Sequence, residues 1–412
     1  MSTQPDVAIV GAGIAGGALA TVLARAGLDV LLLERQLEYR DRVRGETMFP
    51  WGVAEVLEIG LEDVLLGAGG GYASTLVLSD ELFASQGVDP LALPLDGLVP
   101  GVAGQLNVGH PQACAALADA AGDAGARVVT GVSDVAVTPG SRPSVAFSPA
   151  GAASEEITPR LVVGADGRAS SVRKACGLDL EETEARVMLA GFLLGDASQW
   201  PDGQNCMTVE RDWFVLGFPR PGGFVRVYLA YSVAAKDRFS GAGKVDEFMH
   251  VLADSGALPF IDPFAGTRPA GPLGAFPMTD TWMDTPFVPG VVLAGDAAGW
   301  SDPTLGQGLS VAMRDVRVLS EILRDGPAWD FRPYAEERGE RMRRLRACLE
   351  VTVATRCDFT DRGRARRAAF NQALATDPRF LQIQMVGLTG PHAAPEEAVA
   401  DEVVDAVRAL GA

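Results

Sequence analysis

Apolar residues in the first part of the chain come in short unbroken runs rather than in alternation. Val7-Ala8-Ile9-Val10 and Val30-Leu31-Leu32-Leu33 have the pattern of strands buried on both faces, as in a parallel sheet. The stretch between them opens with Gly11-Ala12-Gly13-Ile14-Ala15-Gly16 and continues as an Ala/Leu-rich segment to about Ala26, with Gly27 behind it. That sequence predicts strand, turn, helix and strand, with Gly27 as the helix stop. The uncharged run from Val7 to Ala24 has the length of a membrane span, but its glycines fall where a turn needs them, so it is read as strand, turn and helix. Further strands are expected at Arg127-Val128-Val129 and Val291-Val292-Leu293-Ala294, another buried strand at Leu161-Val162-Val163, and a helix from His110 to Gly125.

Two stretches break this pattern. Residues from about Tyr72 to Val102 lack a helical period and carry turn residues, which predicts a short β excursion. Residues 186–275 read mainly as β, with a hairpin where Arg220-Pro221-Gly222-Gly223 precedes Phe224-Val225-Arg226-Val227-Tyr228-Leu229. Pro139 to Pro159 is also read as hairpins, and the chain beyond Gly308 as largely helical. The order implies an α/β fold, a Rossmann-like dinucleotide domain with an inserted β-sheet domain. Residues 1–71, 103–185 and 276–320 are assigned to the first, and 72–102 and 186–275 to the second. The helical residues 321–412 are assigned to a cap or a dimer surface. The arginines between Arg338 and Arg367, interleaved with Met342, Leu345 and Leu349, are expected on a solvated helix face with an apolar stripe.

Composition narrows the function classes. With Lys+Arg 35 against Asp+Glu 53, the formal charge is −18, which disfavours nucleic acid and anionic membranes as partners. Cys114, Cys176, Cys206, Cys348 and Cys357 form no CxxC pair, and His110, His250 and His392 lie far apart. Neither a metal site nor a disulfide framework is expected, and the thiols are read as reduced in a cytoplasmic protein.

The glycine run is the first motif with chemistry. Gly11 permits a tight turn, Gly13 allows backbone to approach a pyrophosphate, and Gly16 lets helix and strand pack closely. The helix N-terminus then presents free N–H groups to phosphate. Glu34, ending the second strand, can accept from both hydroxyls of a ribose. The motif does not choose between NAD and FAD. A second motif, Gly164-Ala165-Asp166-Gly167-Arg168-Ala169-Ser170-Ser171-Val172-Arg173, follows a buried strand. A third is Gly295-Asp296-Ala297-Ala298-Gly299, then Asp302-Pro303-Thr304-Leu305-Gly306-Gln307-Gly308-Leu309-Ser310, with Asp315 beyond. A carboxylate at a strand end can hold a sugar-alcohol hydroxyl, and a Pro-x-x-Gly-x-Gly loop opening a helix places backbone N–H groups beside a ring that gains negative charge.

In this order and spacing, from about Asp6 to Asp315, the motifs resemble the group A flavoprotein monooxygenases, of p-hydroxybenzoate hydroxylase fold. The resemblance implies FAD, with Gly11, Gly13, Ala15 and Gly16 at the pyrophosphate and Glu34 and Arg35 at the adenosine ribose. It implies Asp166 in the motif tied to FAD and NAD(P)H use, and Gly295 and Asp296 at the ribityl chain. Pro303, Gly306, Gly308 and Leu309 would lie beside the isoalloxazine, the backbone of Pro303 and Gly306 nearest the reacting ring. Arg44, in Arg42-Val43-Arg44-Gly45-Glu46, matches an arginine that reaches FAD, and His110 stands where the family has Arg or Gln. The sequence departs from the family at Gly299, commonly His, and at Ser310, commonly Asn.

The implied activity is hydroxylation or epoxidation. NAD(P)H reduces FAD, O₂ adds at flavin C4a, and the hydroperoxide gives one oxygen atom to an aromatic or polycyclic small molecule, with secondary metabolism as the expected setting. No general acid or base is named, since the cofactor carries the chemistry. Trp213, Phe214, Phe218 and Tyr228 are the candidate substrate contacts. The protein is expected to be a monomer or homodimer without membrane or nucleic-acid partners. Two alternatives stand beside this reading. One is another flavin enzyme of the same fold, a halogenase or double-bond reductase; the other is a flavin-binding protein without activity. Halogenases of the fold carry a Trp-x-Trp-x-Ile-Pro run and a pocket lysine. This chain lacks the run and has only Lys174, Lys236 and Lys244.

Overall fold

The computed structural model describes residues 4–411 apart from 261, 263 and 327. Val7–Val10 forms the centre of a six-stranded sheet. It pairs in parallel with Val30–Glu34 on one side and Leu161–Gly164 on the other, and Arg127–Thr130 and Val291–Leu293 extend the sheet in parallel. The unbroken apolar runs are explained by burial on both faces: all four residues of Val7–Val10 and of Leu161–Gly164 are buried. The helix Ile14–Arg25 covers the sheet together with His110–Asp123 and Gly308–Arg324.

A second, mixed sheet is built from the stretches read as β. Its order runs from Arg268–Pro269 through Val187–Gly195, Phe224–Ser232, Trp213–Arg220, Gln204–Glu210 and Thr75–Asp80 to Leu91–Pro94, and Gly274–Met278 also pairs with Val187–Gly195. The excursion around residue 75 therefore adds strands to a sheet made mostly from residues well over a hundred positions later. The hairpin at Pro221 is present, with Arg220 paired to Phe224.

Because strand side chains alternate, the mixed sheet has two distinct faces. One carries Trp213, Val215, Val227 and Tyr231, packed on the helix Lys244–Ala253. The other carries Phe214, Leu216, Phe218 and Tyr228. It is covered by the C-terminal helices Arg332–Thr352, Asp361–Ala373, Pro378–Thr389 and Asp401–Ala409, through Leu345, Leu349, Phe370, Ile383 and Val403.

The arginines of that region correct the expectation of a solvated face. Arg338, Arg341, Arg366 and Arg367 are buried. Arg341 donates to Asp315 Oδ1 at 2.6 Å and Arg338 to Asp315 Oδ2 at 3.2 Å. Arg367 meets Asp80 and Glu81, and Arg366 meets Asp358. Buried charges are tolerated when paired and hydrogen-bonded, and the carboxylates that pair them come from distant segments. Arg343 and Arg344 remain nearer solvent, bridged to Glu340 and Glu396.

Candidate functional site

The three glycine-bearing motifs meet at the carboxyl ends of the parallel strands. Backbone bonds fix their junction: Gly11 N–H donates to Leu33 O, Ala165 N–H to Val10 O and Ala294 N–H to Gly164 O, at 2.8 to 2.9 Å. Small residues allow the approach. A Cβ on Gly16 would lie 1.8 Å from Gly11 O, and one on Gly11, whose φ is +101°, would lie 2.5 Å from Ala165 O. These two glycines are required by the fold itself. Gly13 differs: its φ is −73°, open to any residue, and a Cβ there would meet nothing within 4 Å. The chain has no internal reason for glycine at this position, whereas a ligand lying against the backbone would supply one.

Two helix N-termini face the same space. Ile14–Arg25 and Gly308–Arg324 both start without a side-chain cap, which leaves their first N–H groups free for a ligand. Between them lies a cavity of about 900 Å³, whose wall includes Gly11, Gly13, Ala15, Glu34, Arg35, Arg44, His110, Asp166, Gly295, Asp296, Pro303, Gly306, Gly308 and Leu309. Every cofactor candidate named from the sequence except Gly16 lies in this wall, together with many residues the sequence did not single out. Gly16 stays behind it, in the helix-packing contact. The cavity continues onto the covered face of the mixed sheet, where Phe218 and Tyr228 line it together with Leu189, Met207, Leu216 and Phe276. Of the other candidate aromatics, Phe214 shares this face but lies outside the wall, and Trp213 points to the opposite face, against the helix Lys244–Ala253.

Several predicted residues also do structural work. Glu34 accepts from Ala12 N–H at 2.8 Å and from Gln36 N–H at 2.9 Å, and Tyr39 donates to Ala12 O. Asp166 accepts from Ser171 N–H and Val172 N–H, capping the short helix Ser171–Ala175. Arg173 ties the second motif to the third by donating to Arg168 O and Ala297 O. Asp315 accepts from Gly295 N–H, while Arg338 donates to Ala298 O and Gly299 O. The Gly-Asp turn is thus braced by a buried carboxylate and a buried guanidinium. Sequence reading missed the roles of Tyr39, Arg338 and Arg341, which depend on contacts between distant segments.

The wall carries side chains of both charges. Arg44 forms no ion pair among the described residues, and burial and the neighbouring Arg168 hold its guanidinium below its ordinary value. Asp296 is engaged by Arg168 at 3.4 Å. Burial, with Arg44 nearby, lowers His110 to about 4, so the imidazole is neutral at neutral pH. Burial pushes the Cys114 thiol up to about 12, which leaves it an unreactive thiol.

Beneath the Pro303 loop, Asp280 accepts from Asp302 N–H at 3.2 Å. Burial raises its carboxyl to about 7 against the attraction of Arg346, whose NH1 stands 3.6 Å from Oδ2. Burial lowers Arg346 as well, and the guanidinium stacks on Trp282 at 4.4 Å. The pair is too loose to offset desolvation. A carboxyl raised on folding binds a proton more tightly in the folded state, so its ionisation costs stability as pH rises from 3.8 to about 7. Wild-type protein is expected to lose more stability across that window than Asp280→Asn, read as thermal midpoints on either side of it. Equal pH dependence in the two proteins would refute this placement of the proton.

FAD fits the residues present: free helix N-termini, an open Gly13, an acceptor at Glu34 and an unpaired Arg44. Comparisons with known proteins agree. Residues 4–345 match the family described as FAD binding domain. The chain is 26% identical over 340 residues to squalene monooxygenase of Mus musculus, a match covering 79% of this chain and 56% of that protein. It spans under two thirds of the length of the curated relatives it matches first. Among solved structures, a flavoprotein/dehydrogenase from Cytophaga hutchinsonii superposes with a TM-score of 0.79 at 16% identity, covering 98% of this chain and 99% of the other. The flavin-dependent halogenase CmlS superposes with a TM-score of 0.74 at 17% identity, covering 99% and 77%. These structural likenesses establish a shared fold.

Proposed function

The chain belongs to the FAD-binding-domain family, and from that premise we propose that it is an FAD-dependent monooxygenase acting on an aromatic or polycyclic small molecule. The observation that carries the reading is the continuity of one cavity from the dinucleotide cradle to the apolar face of the mixed sheet. Its volume lies near the upper end for small-molecule sites, which suits a cofactor and a second organic molecule together. The relationship to a monooxygenase over most of the chain supports the same reaction class. Bound FAD would supply electron transfer from NAD(P)H and oxygen transfer from O₂. In this reading Gly13 and the N-terminus of Ile14–Arg25 hold the pyrophosphate, Glu34 and Arg35 the adenosine end, and Asp296 the ribityl chain. The Pro303–Leu309 segment presents backbone donors to the ring.

The protein's own contribution is binding, aiming and drying. Leu189, Leu216, Phe218 and Phe276 hold an apolar substrate, and the C-terminal helices close the sheet face against water. None of Lys174, Lys236 and Lys244 lies in the cavity wall, which favours oxygen transfer over halogenation.

With FAD-loaded protein, NAD(P)H and a panel of naphthols and hydroxynaphthoates under labelled dioxygen, nicotinamide oxidation should accelerate with substrate, and one labelled atom should enter the product. Label arriving from water, or oxidation indifferent to every aromatic added, would overturn the proposal.

A further inference from the structure

Most buried arginines of this chain meet a carboxylate, as Arg226 does at Glu46 and Arg341 at Asp315. Arg356 does not. It sits in a π-helical turn, Val353–Cys357, that follows the long helix Arg332–Thr352 and packs on the covered face of the mixed sheet. Among the described residues its guanidinium forms no ion pair: it touches Met207 Sδ at 3.8 Å and the Phe214 ring at 5.8 Å, and feels the charge of Asp80 at a distance. The nearest acid from the adjoining strand, Asp80, is taken by Arg367 Nε at 3.0 Å and by Leu82 N–H. Arg356 is half-buried, and burial holds its guanidinium below the ordinary value. A π-turn inside a helix is uncommon and is often found at functional sites.

One of the two residues it touches, Met207, belongs to the wall of the substrate end, while Phe214 and Arg356 itself lie just outside it. Met207 pairs across the sheet with Leu216, and Phe214 is two positions from Leu216 on the same face. Met207 and Leu216 both line the cavity. Arg356 therefore stands behind a flexible methionine, which can move aside, at the part of the wall contributed by Gln204–Glu210 and Trp213–Arg220.

We propose that Arg356 selects substrates that carry a carboxylate on an apolar ring system, by receiving that carboxylate at the sheet end of the cavity. The inference rests on the monooxygenase reading for the identity of the site and adds the substrate's charge. A planar guanidinium matches a carboxylate's two oxygens, and a half-buried cation without an ion pair gains from an anion brought to it. The apolar wall around it would hold the rings and keep the pair dry.

The test uses FAD-loaded protein and two near-isosteric probes, 2-naphthoate and its neutral amide, with affinity read by titration calorimetry without turnover. Wild type should bind the acid about tenfold more tightly than the amide, the scale of one charge-assisted hydrogen bond. Arg356→Met should erase that preference while keeping the amide's affinity, and Arg356→Lys should keep most of it. Absence of the preference in wild type, or its persistence in Arg356→Met, would overturn the proposal. So would an equal loss for both probes in Arg356→Met and Arg356→Lys, which marks a packing role. Binding without labelled product would remove the oxygenase reading and leave this assignment standing, and turnover without acid preference would do the reverse.

Discussion

Gly13→Val should bind FAD at least about a hundredfold more weakly than wild type, while the flavin-free protein unfolds at an unchanged temperature. The two halves of that expectation come from one local geometry. At φ −73° a valine backbone is unstrained, and its Cβ enters empty space, so the fold has no reason to object. The space it fills is the cavity beside the free N–H groups of Ile14–Arg25. Losing two backbone bonds to a charged pyrophosphate, at roughly 1.5–3 kcal/mol each, accounts for the factor. Gly16→Val is the contrasting variant. There the new side chain collides with Gly11 O, and the flavin-free protein itself should fail. FAD titration and thermal unfolding of both variants separate a ligand-facing glycine from a packing glycine. Normal FAD affinity in Gly13→Val would remove the pyrophosphate from this turn.

Asp315→Ala is expected to destabilise the protein by about 3–5 kcal/mol, the usual cost of stripping a buried ion pair of one partner. Asp315 is fully buried and accepts from Gly295 N–H, Arg338 and Arg341. Its removal leaves the charge of Arg338 without a carboxylate and frees the backbone of the Gly295–Gly299 turn. Arg341 would keep Glu337, 3.1 Å away, which limits the damage to one stranded cation. Denaturant unfolding reads the stability. FAD affinity should fall as well, because the turn presents Asp296 to the cavity. A loss of about 0.5 kcal/mol or less, within the range of an ordinary surface change, would show that the brace carries little.

These two expectations mark what could be read from sequence and what could not. The turn at Gly11–Gly16 is a local device, and unbroken apolar strands on either side announce it. The same holds for the loop from Pro303 to Leu309 and for the hairpin at Pro221. Asp315 was visible only as a residue near the third motif, because its partners arrive from helices that carry no motif. The buried arginines of Arg332–Thr352 looked solvated for the same reason: charge patterning along one helix says nothing about a carboxylate two segments away. The aromatic candidates were an intermediate case. Trp213 and Phe214 are adjacent on one strand, so period-two alternation already forbade both from facing one pocket. Leu189 and Phe276 gave no such signal, since an apolar residue in a strand reads alike in core and in cavity wall. Asp166 shows a further limit. Its carboxylate caps Ser171–Ala175, so a motif residue serves the local fold whatever else it serves.

The account stands on three distant segments forming one cradle for a single FAD. Calorimetric titration of flavin-free protein with FAD tests this most directly, run in parallel on wild type, Gly13→Val and Asp296→Ala, one variant from each of two segments. The account predicts one flavin per wild-type chain and a large loss of affinity in both variants. Wild-type protein that takes up no flavin, or variants that bind it as wild type does, would contradict it.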